Sequence, residues 1–197
     1  MSTTSEYTVS QRRIVDALQP LLGSETIALY ERHDRSLQKL VHFARQSPLP
    51  GCQRVASGLA LAQALLTEEM AARSVFSSPA KVGEYLTLHF AGRPYESFGV
   101  LYLDAQHALL AFEDLFRGTL TQTSVYPREV LKRGLHHHAA AVILTHNHPS
   151  GSCDPSRADE LLTQTLRTAL AMVDIRVVDH VIVAGRRTLS FAERGLL

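Results

Sequence analysis

The chain has 197 residues, 45% of them apolar and 20% charged, with 20 Lys plus Arg against 19 Asp plus Glu. That composition fits a globular protein able to bury a core and excludes a charged disordered segment, while a formal charge of +1 neither calls for nor excludes nucleic acid, since a local basic patch does not show in the total. Cys52 and Cys153 are too few and too far apart for a disulfide framework or a thiolate metal site, so a reducing cytoplasm is the expected compartment. The opening "MSTTSEYTVSQRR" lacks the apolar core of a signal peptide, and runs such as "AAAVIL" are far short of a membrane span.

Residues 1–10 are polar and expected to fray. Residues 11–74 read as an all-helical region. There "QRRIVDALQPLL" is interrupted at Pro20, Ser24 offers a cap for "SETIALYERH", and "SLQKLVHFARQ" sets Leu37, Leu40, Val41 and Ala44 on one face. "SPLPG" breaks the pattern before the long helix "CQRVASGLALAQALLTEEMAAR". Short helices around "LPG" can form a helix-hairpin-helix-like module whose amides bind DNA phosphates through residues 45–65, or simply a helical cap. Ser78 can cap a helix whose first position is Pro79, and the domain boundary falls between about Ala71 and Ser78.

From residue 75 to 197 strands alternate with helices, which indicates an α/β (α+β) domain. "SFGVLYLD" is a strand, Asp104 to His107 a turn, and "ALLAFEDLFRGTL" one or two strands. Pro127 opens a helix with Val130, Leu131, Gly134 and Leu135 available to face the sheet. Arg128, Lys132 and Arg133 on it form a basic patch or a solvated face, and His136, His137 and His138 suit its C-terminal end. "AAVILTHNH" is a short apolar strand, central in its sheet and ended by Pro149. "SRADELLTQTLRTALAMVD" is a helix, and "RVVDHVIVAG" and "TLSFAER" are closing strands, with "GRRTLSF" a hairpin.

The chemistry concentrates in "THNHPSGSCDPSRAD". Residues two apart on a strand point the same way, so His146 and His148 can aim both imidazoles at one point while Asn147 faces away. Ser156 suits the N-cap of the next helix, which makes Asp159 its N3 residue at the electropositive end. Two neutral nitrogens and one carboxylate suit one Zn²⁺ with a coordination position open to water. The same Ser–Asp pair also makes sense as a capping box with no metal present.

His146, His148, Ser156 and Asp159 stand at the intervals of the JAMM (JAB1/MPN) metalloprotease signature, and this stretch resembles it. "FGVLYLD", "FRGTLTQTSVYPREVLKRGL", "AAAVILTHNHPSG", "PSRAD" and "IRVVDHVIVAG" resemble one bacterial branch, the RadC-like (UPF0758-type) proteins, from about Ser78 to Leu197. The resemblance implies a JAMM/MPN-like mixed sheet with flanking helices, layered as in cytidine deaminases. It implies a zinc ion on His146, His148 and Asp159, and hydrolysis of a peptide or isopeptide bond in a bacterial cytoplasm. It further implies an upstream glutamate as general base, for which Glu96 in "PYESFGVLYLD" fits the pattern and Glu113 in "AFEDLF" is the alternative. Ser156 would steady the oxyanion. RadC-like proteins usually place a Gly-x-Gly hairpin before the metal domain; here Gly51 remains and the second glycine is absent.

Asp179 and His180 in "VVDHVIV" are candidates for orienting a ligand, or a buried satisfied pair. Cys153 reads as a loop residue. Beside the hydrolase of peptide or protein substrates stand two rival expectations, a DNA-associated accessory protein with a structural metal site and an interaction scaffold acting as a homodimer.

Overall fold

The computed structural model describes residues 7–72, 74–75, 79–118 and 125–197. It divides into two compact units, Met1–Gln63 with Ala91–Arg93, and Ala64–Phe90 with Pro94–Leu197. The proposed Ser78 cap and the "TL" that ends "FRGTL" lie outside the described residues.

The first unit holds α1 (Val9–Leu22), α2 (Thr26–Arg32), α3 (Leu37–Gln46) and the start of α4 (Pro50–Ala72). Thr8 and Gln11 form a reciprocal capping box at the start of α1. Pro20 does not end this helix as expected. It forfeits only its own bond to the carbonyl four residues back, and buried Leu18 and Leu22 hold the last turn, which closes with Gly23 N–H on the Gln19 carbonyl. Ser24 does not cap α2; it lies in a 3₁₀ turn, Gly23–Glu25, where the Thr26 hydroxyl donates to the Gly23 carbonyl at 2.8 Å. In α3, Leu40, Val41 and Ala44 are buried, but Leu37, in its first turn, is 39% exposed.

Leu18, Leu22, Tyr30, Leu40, Cys52 and Val55 build the core of this unit. Pro50 occupies the first position of α4, where its missing amide costs nothing. Gly51 is buried there: a Cβ would meet Leu22 Cδ2 at 3.2 Å and the Leu21 carbonyl at 3.3 Å. The glycine read as a hairpin remnant therefore serves close packing of α4 on the end of α1.

The second unit is a five-stranded mixed sheet in the order β2-β1-β3-β4-β5. Its strands are β1 (Ser97–Leu103), β2 (Leu109–Arg117), β3 (Ala141–Asn147), β4 (Arg176–Ala184) and β5 (Arg187–Ser190). Only β3 and β4 run parallel, joined by α7 (Arg157–Ala171). The span expected as one or two strands after the first turn is the single strand β2.

α5 (Pro79–Phe90) packs Val82, Tyr85, Leu86 and Phe90 against Leu101, Leu103, Ile143 and Val183 on one face. α6 (Pro127–His136) and α7 pack Val130, Leu166 and Leu170 against Phe98, Val100, Tyr102, Val142 and Leu144 on the other. Burial on both faces explains why β1 and β3 are buried along their whole length and read as apolar runs without alternation. In α6, Val130 and Gly134 face inward, one helical repeat apart. A Cβ at Gly134 would meet Ile175 Cδ1 at 2.8 Å, while Leu135, turned one step further round, is 49% exposed rather than facing the sheet.

Candidate metal centre

His146 lies near the end of β3 and His148 just beyond it, at the C-terminal end of a parallel strand, where α/β sheets commonly bind ligands. α7 begins opposite, with Ser156 as N-cap and Asp159 at N3. One donor atom each from His146, His148 and Asp159 falls within 4.8 Å of the others, the one such group among the described residues. His146 Nε2 is 2.9 Å from His148 Nε2 and 3.3 Å from Asp159 Oδ1, and His148 Nε2 is 3.8 Å from Asp159 Oδ2. Tetrahedral bonds of ~2.0–2.1 Å would separate two ligand atoms by about 3.3 Å, inside that range.

The donor chemistry fits a cation as well. His148 Nδ1 lies 2.8 Å from the Ser152 carbonyl, which can only accept, so Nδ1 carries a proton and Nε2 is the lone pair of the neutral ring. Burial pushes the Asp159 carboxyl up, but His146 beside it and two hydrogen bonds from Ser156 outweigh this and hold it well below the usual carboxylate range. A lone pair and an anion thus converge on His146 Nε2, and a positive charge, as a proton or a metal ion, is what satisfies all three.

Ser156 and Asp159 form the expected capping box. The Ser156 hydroxyl accepts from the Asp159 amide at 3.2 Å and donates to Asp159 Oδ2 at 2.7 Å, while the Ser156 amide donates to the same oxygen at 2.8 Å. The cap therefore orients the carboxylate that faces the imidazoles.

Glu96 immediately precedes β1 and is half-buried. β1 pairs antiparallel with β3, with Phe98 opposite His146. Continuing that pairing by two residues sets Glu96 opposite His148, and opposite residues project from the same face. Asn147, expected only to face away, clamps the neighbouring strand. Its Oδ1 accepts from the Ser97 amide at 2.8 Å and its Nδ2 donates to the Tyr95 carbonyl at 2.9 Å. One side chain between the two histidines thus pins the peptide groups on both sides of Glu96.

The alternative base, Glu113, is committed elsewhere. Its carboxylate accepts from Arg133 Nε and Nη2 and lies 2.9 Å from His137 Nε2. The Arg133 bonds, with His137 adding to them, outweigh burial and lower its pKa to about 2. Arg133 is therefore neutralised rather than part of a basic patch, and Arg128 and Lys132 lie near Glu129.

Of the pair Asp179 and His180, His180 touches a ligand, its Nε2 standing 2.8 Å from His146 Nδ1. Asp179 instead accepts from the Ser190 hydroxyl and from the amides of His180 and Ala192, tying β4 to the turn after β5. Burial and the neighbouring His146 hold His180 well below the ordinary histidine range, so it is neutral. Arg187, in the closing hairpin, donates to the Gly151 carbonyl at 2.6 Å, next to the Ser152 that fixes His148. Cys153 is a free, half-buried loop thiol.

Three participants escaped the sequence reading: Asn147 in its clamping role, Ser152, and Thr163 behind His180. Thr163 stands four residues after Asp159 and so shares its helix face, a signal legible from spacing alone.

A family model described as "RadC-like JAB domain" matches residues 76–196. The chain is 63% identical over 139 residues to a protein named "UPF0758 protein" of Variovorax paradoxus (strain S110), a span covering 71% of this chain and 62% of that one. A protein of the same name from Acidovorax sp. (strain JS42) is 64% identical over 139 residues, 58% of its length, and one from Leptothrix cholodnii is 60% identical over 63% of its length. The matched span is thus less than two thirds of these bacterial relatives. No helix among the described residues is long and apolar enough to cross a membrane.

Proposed function

The chain belongs to the RadC-like JAB-domain family, and from that premise we propose that it is a zinc-dependent metallohydrolase of the JAMM type, cutting a peptide or isopeptide bond in a protein or peptide substrate. One observation carries the reading: the bare Nε2 of His148, the anionic Asp159 and His146 Nε2 converge at the end of β3, held there by partners on their far sides. Helices on both faces of a mixed sheet support a JAMM/MPN domain over residues 75–197, with the layering of cytidine deaminases and a helical region over residues 11–74 before it as the proposed division.

His146, His148 and Asp159 would hold the zinc, which would supply a Lewis acid able to lower the pKa of water toward ~7 and polarise a carbonyl. Glu96, set opposite His148, takes the proton of the attacking water and returns it to the leaving amine. The Ser156 hydroxyl donates its proton to Asp159 in the resting site. Rotating that proton outward, while still accepting from the Asp159 amide, lets it steady the oxyanion. Arg187 and Ser152 keep the loop and the His148 ring in place.

The test has two arms. Elemental analysis of the purified chain should give one zinc per chain, lost in His148→Ala. Glu96→Gln should keep the zinc yet release no new amino termini from a proteome-derived peptide library that the unaltered protein cleaves. Unchanged cleavage by Glu96→Gln would remove Glu96 as the base, and a chain that binds no zinc would remove the metal centre.

A further inference from the structure

We infer that Thr163 and His180 are positioning residues that lock neutral His146 in the tautomer with its proton on Nδ1, so that Nε2 is the nitrogen offered to the metal centre. The inference rests on the metal-site reading for its consequence, but its geometry stands alone.

Each proton can be placed by working outward from one fixed point, the Asp159 main-chain carbonyl. The Thr163 hydroxyl lies 2.6 Å from that oxygen, which can only accept, so the single hydroxyl proton is committed there. Thr163 Oγ1 also lies 2.6 Å from His180 Nδ1, and having no second proton it must accept. His180 Nδ1 therefore carries the hydrogen. His180 is fully buried, in contact with the rings of Phe98 and Phe191, surroundings that disfavour a charged imidazole. Being neutral, it has a bare Nε2, and the group facing that nitrogen at 2.8 Å is His146 Nδ1, which must donate. In the neutral ring His146 Nε2 is then the nitrogen without a proton, 3.3 Å from Asp159 Oδ1.

The chain of bonds thus runs from the backbone of Asp159 through Thr163 and His180 to His146 Nδ1, and the other nitrogen of that ring faces the carboxylate of Asp159. Thr163 and His180 are both fully buried, so water does not compete for the bond between them. His148 reaches the same tautomer by a different route, through the Ser152 carbonyl. Each imidazole has its own device, one inside the core and one on the loop. Without the Thr163 acceptor, His180 can move its proton to Nε2. That would turn His146 Nδ1 into an acceptor and its Nε2 into an N–H that repels a cation.

The experiment uses the full chain with Thr163→Val, which keeps the shape and removes the acceptor, and Thr163→Ser, which restores a hydroxyl. In the metal-free unaltered protein at about pH 8, above the ordinary histidine range, long-range ¹⁵N–¹H spectra should show Nδ1–H for both His180 and His146. Zinc affinity, read by competition with a chromogenic chelator, should fall by about 10- to 100-fold in T163V and return in T163S, the range usual for lost partners of metal-binding histidines. An Nε2–H His146 in the unaltered protein, or T163V binding zinc as tightly as the unaltered chain, would overturn the inference and leave the metal centre standing. A chain whose spectrum shows both Nδ1–H tautomers yet binds no zinc would sink the metal centre and leave the relay. Should T163V fail to fold, the spectrum of the unaltered protein decides alone.

Discussion

Asn147 offers the sharpest test of how the two halves of the site are joined. Its amide accepts from Ser97 N–H at 2.8 Å and donates to the Tyr95 carbonyl at 2.9 Å, with Ser97 and Asn147 only 2% and 4% exposed. Asn147→Ala orphans the Ser97 amide in a place water does not reach, which costs about 1–3 kcal/mol, and forfeits the Tyr95 bond, worth about 1 kcal/mol. The sum is about 2–4 kcal/mol. With a urea dependence of about 2 kcal/mol per molar, the unfolding midpoint should fall by about 1–2 M. Asn147→Asp separates the two bonds: it keeps an acceptor for Ser97 but sets an oxygen against the Tyr95 carbonyl. Amide hydrogen exchange at Ser97 should therefore lose protection in the alanine variant and keep it in the aspartate variant, although both are less stable. Both should retain zinc, because neither touches a ligand atom. Unchanged protection of Ser97 in Asn147→Ala, with a stability loss under about 1 kcal/mol, would refute the clamp.

Glu113 should contribute to the acid limb of stability. Its carboxyl is lowered from 4.5 to about 2, chiefly by Arg133, so the folded state gains while the group is ionised; that gain is complete above about 4.5 and lost as pH falls toward 2. The shift corresponds to about 3 kcal/mol at most, nearer 1–2 after solvent screening of side chains 22% and 32% exposed. Glu113→Gln should thus cost that much at pH 7 and nothing near pH 2 in denaturation at each pH, and parallel profiles would contradict it. The Tyr102 hydroxyl is fully buried with no hydrogen-bond partner among the described residues, so Tyr102→Phe should be neutral or stabilising by about 1 kcal/mol in thermal unfolding. Ser156→Ala should cost about 1 kcal/mol of stability through the lost cap and weaken zinc binding by freeing the Asp159 carboxylate, measured by denaturation and chelator competition.

Much of this protein is written in local sequence. Periodicity marks α3, α6 and α7, apolar runs mark β1 and β3, and Pro127 and Ser156 mark helix starts, because each depends on interactions within a few residues. The spacing of His146, His148, Ser156 and Asp159 was likewise legible, since strand alternation and a helix first turn are both short-range rules. The departures at Pro20, Ser24 and Leu135 come from the same short range: burial of Leu22, the 3₁₀ turn, and the angle of each helix against its neighbours are decided by packing. Gly51 carried a misleading local signal, its small size being needed for contact with Leu22 rather than for a turn.

What sequence could not supply is every relation across the sheet. The antiparallel register of β1 on β3 places Glu96 opposite His148, and no rule of spacing contains that pairing. Glu113 stood as the alternative base, and only the structure shows Arg133 of α6 and His137 at its end committed to it. Asp179 and His180 are neighbours in the chain, yet one serves the turn after β5 and the other the metal centre, because a strand sends successive side chains to opposite faces and only the packed layers say what waits on each. The sequence determined which groups can bind a metal; the tertiary structure decided which nitrogen of each ring is free to do so, because a buried proton goes where an acceptor has been packed against it.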